Sequence, residues 1–176
     1  MRRALERLIA WDQALTARLT LPPTPATHLW RLLANVMAHT GDSVAWLIWA
    51  ALAYALGQGS WVQGGERVFL GTICGGAATW LLKQVFRRRR PSDETHKLYL
   101  SLDVHSFPSG HAGRGACNVT LLLPLLPWPL QIGLLLWLGL MALSRVAMGI
   151  HYVSDVLVGF IVGGSIGWGI SCWLTS

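Results

Sequence analysis

The chain has 176 residues, 53% hydrophobic and only 12% charged, roughly half the charged share usual for a soluble domain. That composition excludes an ordinary soluble globule and points to one membrane-embedded domain over residues 1–176. The formal net charge is +6, from 14 Lys+Arg against 8 Asp+Glu. The basic residues are interleaved with apolar runs, so there is no solvated face for nucleic acid, and the charge points to lipid headgroups or an anionic substrate.

Residues 1–25 open the chain with "MRRALERLIAWDQALTARL". Arg7, Asp12 and Arg18 interrupt any signal-peptide core, and Leu5, Leu8, Ile9, Leu15 and Leu19 fall at helical spacing. This predicts an amphipathic helix in the membrane interface, ended by "LPPTP". The next stretch, "ATHLWRLLANVMAHTGD", carries Arg31, His39 and Asp42 and reads as a second tilted or interfacial helix.

A short first span is expected over Ser43–Leu56, then a turn at "GQGSWVQGGER" and a second span from about Val68 to Phe86. "RRRRPSDETHKLYLSLDVHSFP" reads as a polar loop. A third span starts near Ser109 and halts at Pro124, Pro127 and Pro129. The fourth runs from about Leu130 to Met148 and the fifth from about Asp155 to Leu174. The expected fold is all-α: a polytopic bundle of about five spans plus one or two N-terminal interfacial helices. Cys74, Cys117 and Cys172 lie in apolar runs and read as small core residues.

With five spans, the polar loop, the start of the third span and the junction at 145–154 share one membrane face. Three clusters meet there. In "KQVFRRRRP", Lys83 and Arg90 are seven apart and share a side if the helix persists; a lipid-anchoring basic run is the plainer reading. "FPSGHAG" offers a helix N-terminus with Ser109, Gly110 and His111, an anion-binding arrangement or simply a capped helix. In "SRVAMGIHYVSD", His151 and Asp155 are four apart, the spacing at which a carboxylate holds an imidazole on one helical face. A structural ion pair is the alternative, but ionisable groups at membrane depth are costly and favour function. Together the clusters suit a phosphate gripped by cations and displaced in line, with one histidine attacking and the other protonating the leaving oxygen.

"K83-x6-R90-P91", "P108-S109-G110-H111" and "S144-R145-x5-H151-x3-D155" resemble the three-part signature of the type 2 phosphatidic acid phosphatase superfamily, which includes vanadium haloperoxidases. The resemblance covers residues 83–155, with the parts in the family's order. It implies that His151 is the nucleophile forming a phosphohistidine, Asp155 orients it, and His111 is the general acid. Lys83, Arg90, Ser109, Gly110 and Arg145 would cradle the phosphoryl group. No metal or other cofactor is implied, and the sequence has no H-E-x-x-H and no carboxylate cluster of metal-ligand type. His96 and His105 lie in the active-face loop and are candidates for headgroup contact; His28 and His39 read as interfacial.

The expected partners are a phosphorylated membrane lipid and the bilayer itself. The favoured reading is a lipid phosphatase of a bacterial inner membrane acting on undecaprenyl diphosphate, phosphatidic acid or phosphatidylglycerophosphate, by similarity to short bacterial members. A phosphotransferase using the same phosphohistidine, a haloperoxidase, and a non-enzymatic lipid-binding or translocating bundle are the alternatives. The last leaves the His151–Asp155 pair without a purpose. The distribution of arginines places the active face in the cytoplasm by the positive-inside rule. The resemblance places it outside, and that is the arrangement we expect.

Overall fold

The computed structural model describes residues 2–91 and 104–176, and all regular structure within them is helical. The elements are α1 (Arg2–Leu19), α2 (His28–His39), α3 (Ser43–Leu56), α4 (Ser60–Phe86), α5 (Gly110–Leu122), α6 (Trp128–Ala147) and α7 (Val153–Thr175). Short 3-10 turns at Pro25–Thr27 and Leu123–Leu125 follow prolines or contain them.

Three helices, α4, α6 and α7, are long and apolar enough to cross a membrane. The remaining two expected spans are shorter. α3 has 14 residues and α5 has 13, about 20 Å each at 1.5 Å per residue against a hydrocarbon core of roughly 30 Å. α3 follows α2 after only Thr40–Asp42, so the two together cover more depth than α3 alone. α5 is short because it is interior: every residue except Arg114 and Thr120 is buried. It is the axis of the bundle, packed most closely by α7 and α4, with α3 outside α4 and α2 outside α6.

Small residues make that axis possible. A Cβ on Gly163 of α7 would collide with the Gly113 carbonyl of α5, so only glycine allows this approach. The same logic corrects the turn expected at "GQGSWVQGGER". Only Gly57–Gly59 turns, and α4 already begins at Ser60. Two adjacent glycines read as loop signals, yet a Cβ on Gly65 would sit 2.8 Å from the Ala50 carbonyl oxygen of α3. Here glycine marks helix contact. The outer surface is apolar, with Leu136, Ile161, Trp168 and Trp173 exposed as lipid-facing side chains.

All active-face landmarks lie at one end of the bundle: the start of α3, the end of α4, the start of α5 and the α6–α7 junction.

Candidate active site

Lys83 is buried in the last turn of α4. The helix stops after Phe86 because Arg87 enters the left-handed region at φ 45°, ψ 36°, while its N–H donates to the Lys83 carbonyl at 3.1 Å. Pro91 adds a second reason, since the residue before a proline disfavours helical backbone. The shared helical side expected for Lys83 and Arg90 is therefore corrected. Arg90 lies beyond the helix, and the folded-back chain buries it instead. Ser106 fixes that course, its N–H donating to the Arg88 carbonyl at 2.8 Å and its hydroxyl to that of Arg89 at 3.0 Å.

Ser109 caps α5, with Ala112 N–H donating to its Oγ at 3.5 Å. Its own N–H donates to the Asp155 carbonyl at 2.9 Å, tying the second cluster to the third. Gly110 opens the helix among donors: its missing Cβ would lie 3.3 Å from Arg114 Nη1, 3.7 Å from Thr79 Oγ1 and 3.9 Å from Lys83 Nζ. His111 follows on the first turn, as expected. Its Nε2 meets Asp42 Oδ1 at 2.6 Å, where Asp42 is the N-cap residue of α3. That hydrogen bond is the chief reason the Asp42 carboxyl is held below its ordinary pKa, against the opposing effect of burial.

Arg145 is fully buried in the last turn of α6. The chain then reverses at Gly149, φ 68°, and both Ile150 and His151 N–H donate to the Arg145 carbonyl. His151 is fully buried, and its ring nitrogens make no hydrogen bond among the described residues. Its Nδ1 lies 3.6 Å from Asp155 Oδ2. The pair meets as the spacing requires, but not on a shared helical face: α7 starts at Val153, leaving His151 in the preceding turn. Asp155 reaches back from the first turn of α7 and accepts from Tyr152 N–H at 2.8 Å. Burial, then the charges of Arg145, Lys83 and Arg90, push the His151 pKa well below the usual imidazole value. Burial and these positive charges together favour the neutral imidazole.

All eight predicted site residues lie at this end of the bundle, and all are buried. A family model for the PAP2 superfamily matches residues 64–176. The chain belongs to the PAP2 superfamily. Among this PAP2 protein's relatives is decaprenylphosphoryl-5-phosphoribose phosphatase of Mycobacterium tuberculosis, 32% identical over 141 residues, covering 76% of this chain and 75% of the relative. Lipid A 1-phosphatase of Rhizobium johnstonii is 31% identical, covering 80% and 65% respectively. In fold, the PAP2 protein superposes on the PAP2-type phosphatidylglycerolphosphate phosphatase of Bacillus subtilis with a TM-score of 0.77. That match is 24% identical and covers 95% of this chain and 86% of the other. Aquifex aeolicus LpxE gives 0.72 at 22% identity, covering 90% and 93%. The PAP2 protein is a membrane lipid phosphatase, a hydrolase of phosphate esters.

Four residues escaped the sequence reading of the site. Asp42 looked like part of an interfacial segment; its spacing after "HTG" signals a helix cap but nothing about His111. Asp12 and Arg88 meet in a bridge to Asp155, and no sequence interval announces that contact. Arg114 was given no part in the site, yet its guanidinium lies beside Gly110. Of the loop histidines, His96 lies outside the described residues and His105 is half-buried. Among the described residues no group of three or more His, Cys, Asp or Glu is placed to hold a metal ion.

Proposed function

We propose that this PAP2 protein removes a phosphate from a polyprenyl lipid through a phosphohistidine on His151, with undecaprenyl diphosphate as the favoured substrate. The observation that carries the reading is His151 itself: buried, without a hydrogen bond on either ring nitrogen, beside the Asp155 carboxylate and surrounded by Arg145, Lys83 and Arg90. A neutral imidazole held in a cationic pocket is a nucleophile awaiting an anion. With Nδ1 turned towards Asp155, Nε2 is the attacking atom.

In the first step Nε2 forms a bond to phosphorus as the bond to the leaving oxygen breaks. Nδ1–H turns its positive charge to Asp155, and His111 delivers its proton to the leaving oxygen. In the second step water attacks the phosphohistidine, its proton passes to His111, and inorganic phosphate leaves. Lys83, Arg90, Arg145, Ser109 and the free N–H groups around Gly110 neutralise the charge on the three outer oxygens in both steps. This charge set serves without a metal ion. The lipid chain stays in the bilayer beside the apolar outer helices while the phosphate enters the end of the bundle. That end faces away from the cytoplasm, in the inner membrane of a bacterium.

Two features favour a polyprenyl carrier. The curated relatives include a phosphatase whose name specifies a decaprenylphosphoryl substrate, and the site lies at the membrane boundary, where a long chain need not leave the lipid. The test is phosphate release by the detergent-purified protein from undecaprenyl diphosphate, phosphatidic acid, phosphatidylglycerophosphate and a polyprenylphosphoryl sugar phosphate in parallel, with His151→Ala as blank. Release confined to the polyprenyl lipids and lost in the variant supports the proposal. Equal release from all four sinks the substrate assignment, and release that persists in His151→Ala sinks the mechanism.

A further inference from the structure

α1 carries an anomaly. Asp12 falls in its apolar stripe, four residues after Leu8 and three before Leu15, and Thr16 follows four later. In a helix that only anchors the chain in lipid, these positions belong to leucines. The structure inverts the usual pattern. Among the residues of α1 whose burial is described, Asp12 and Thr16 are the buried ones, while Leu8, Ile9, Trp11 and Leu19 are exposed.

What buries them is the start of α7. The first N–H groups of a helix lack partners within it. Val153 N–H donates to Thr16 Oγ1 at 3.2 Å, and Ser154 N–H donates to Asp12 Oδ1 at 3.0 Å. The Ser154 hydroxyl adds a bond to Asp12 Oδ2 at 2.5 Å. α1 thus caps, from a distant part of the sequence, the helix that carries Asp155.

The contact continues through one guanidinium. Arg88 Nη2 donates to Asp12 Oδ2 at 2.8 Å, and its Nη1 donates to Asp155 Oδ1 at 2.8 Å and to Ser154 Oγ at 2.7 Å. Its plane sits 3.8 Å from the centre of the Tyr152 ring, which fixes its rotation. With Oδ1 held by Arg88 and Oδ2 accepting from Tyr152 N–H, the carboxylate of Asp155 is constrained at both oxygens, and Oδ2 is the one facing His151.

We propose that Asp12 and Arg88 are positioning residues for the reaction: the seat of α1 on the bundle sets the orientation of Asp155 and, through it, of His151. α1 is therefore a working part of the catalytic end rather than an anchor. The attachment is a polar latch. Beside it an open cleft of about 510 Å³, lined by Gln13, Ala17 and Pro22 on one side and Pro91, Gly149 and Tyr152 on the other, separates the flank of α1 from the α6–α7 turn. The link is concentrated in the bonds of Asp12 and Thr16, together with Thr20 Oγ1 donating to the Val146 carbonyl at 3.4 Å and Leu21 N–H donating to the Ala147 carbonyl at 2.8 Å.

The proposal rests on the phosphatase reading above, and one experiment separates them. Full-length protein in detergent is assayed with undecaprenyl diphosphate, alongside Asp12→Asn, Asp12→Glu, Arg88→Gln and the double variant, with thermal unfolding recorded for each. Asp12→Asn should lower kcat about tenfold or more, the scale of one charge-assisted hydrogen bond, and leave KM within about twofold. Asp12→Glu should recover most of the loss. In the Arg88→Gln background, Asp12→Asn should cost less than about twofold further, because both changes cut one connection. If Asp12→Asn does not yield folded protein, Arg88→Lys tests the same link, since a lysine ammonium keeps the charge but loses the planar fork. It should also cost kcat rather than KM. Active wild type with unchanged kcat in Asp12→Asn, or losses that multiply in the double variant, would overturn the latch alone. No release by the wild type from undecaprenyl diphosphate would overturn that substrate assignment alone, and the same variants assayed on whichever of the four lipids the wild type hydrolyses then decide the latch.

Discussion

His111 and Asp42, 69 positions apart, meet through Nε2 and Oδ1 at 2.6 Å. The contact forms because α3 and α5 both start at the same end of the bundle, with Asp42 in the N-cap position of one and Ser109 in that of the other. Burial and the Arg145 charge push the imidazole towards its neutral form, and the Asp42 carboxylate opposes them, working towards the protonated form that the general acid of the proposal requires. Asp42→Asn should therefore lower kcat and draw the alkaline limb of the pH–rate profile to lower pH. The loss should stay below the roughly 10²–10⁴-fold that general acid–base catalysis contributes as a whole. An alkaline limb that stays in place would show that Asp42 does not serve His111 in turnover.

The acid limb answers to His151. Burial and three cations hold its pKa well below the ordinary imidazole value of 6.5. A depressed pKa keeps the ring proposed as the nucleophile neutral until the pH falls far below that value. In kcat/KM, which reports the free enzyme, activity should persist to well below pH 6.5 before declining. Removing one cation with Arg145→Gln would weaken phosphate binding and shift the acid limb upward. A wild-type acid limb at the ordinary histidine position would contradict the electrostatics of the pocket.

Gly163 offers a stability test at a position outside the eight site residues. A side chain there meets the Gly113 backbone of α5, which cannot move aside without carrying His111 with it. Gly163→Val should destabilise the protein by about 1–3 kcal/mol, the usual cost of overpacking, read as a lower melting temperature in detergent. It should also reduce kcat, because α5 and α7 carry His111 and Asp155. Unchanged melting would mean that the two helices lie further apart than described.

The orientation in the membrane has a direct readout. Val104 is exposed beside the candidate site and suits a single cysteine in a background lacking Cys74, Cys117 and Cys172. With the site outside the cytoplasm, Val104→Cys reacts with a membrane-impermeant maleimide on intact cells. Protection until lysis would place the site inside, as the arginine distribution suggests.

Much of the active end is legible in the chain because its parts are local. "PSGH" is a helix start whichever way the bundle folds, and "RVAMGIHYVSD" reverses the chain within a few residues, so the interval alone brings His151 near Asp155. Where the reading failed, geometry was settled at a distance. Lys83 and Arg90 were joined by assuming a helix that Arg87 ends. Gly64 and Gly65 looked like a turn because their contact with α3 is invisible in a linear string. The side chains of Asp42, Asp12 and Arg88 bond to residues far away in sequence, and only the packed bundle brings those together. The length of α5 follows the same rule, since a helix lined by its neighbours need not match the bilayer.

The left-handed backbone at Arg87 has a consequence for how "RRRR" tolerates change. Four identical side chains in a row occupy four dissimilar surroundings. Arg87 folds onto the Gln84 carbonyl, Arg88 is clasped between two carboxylates, Arg89 is exposed, and Arg90 is buried near the imidazole. Composition cannot distinguish them; only their phase relative to the end of α4 does. Deleting any one arginine would yield the same three-arginine string, yet every such deletion moves the chain by one register. A single codon lost anywhere in the run is therefore one mutation with one outcome, and a neutral substitution at Arg89 is the change this segment absorbs most easily.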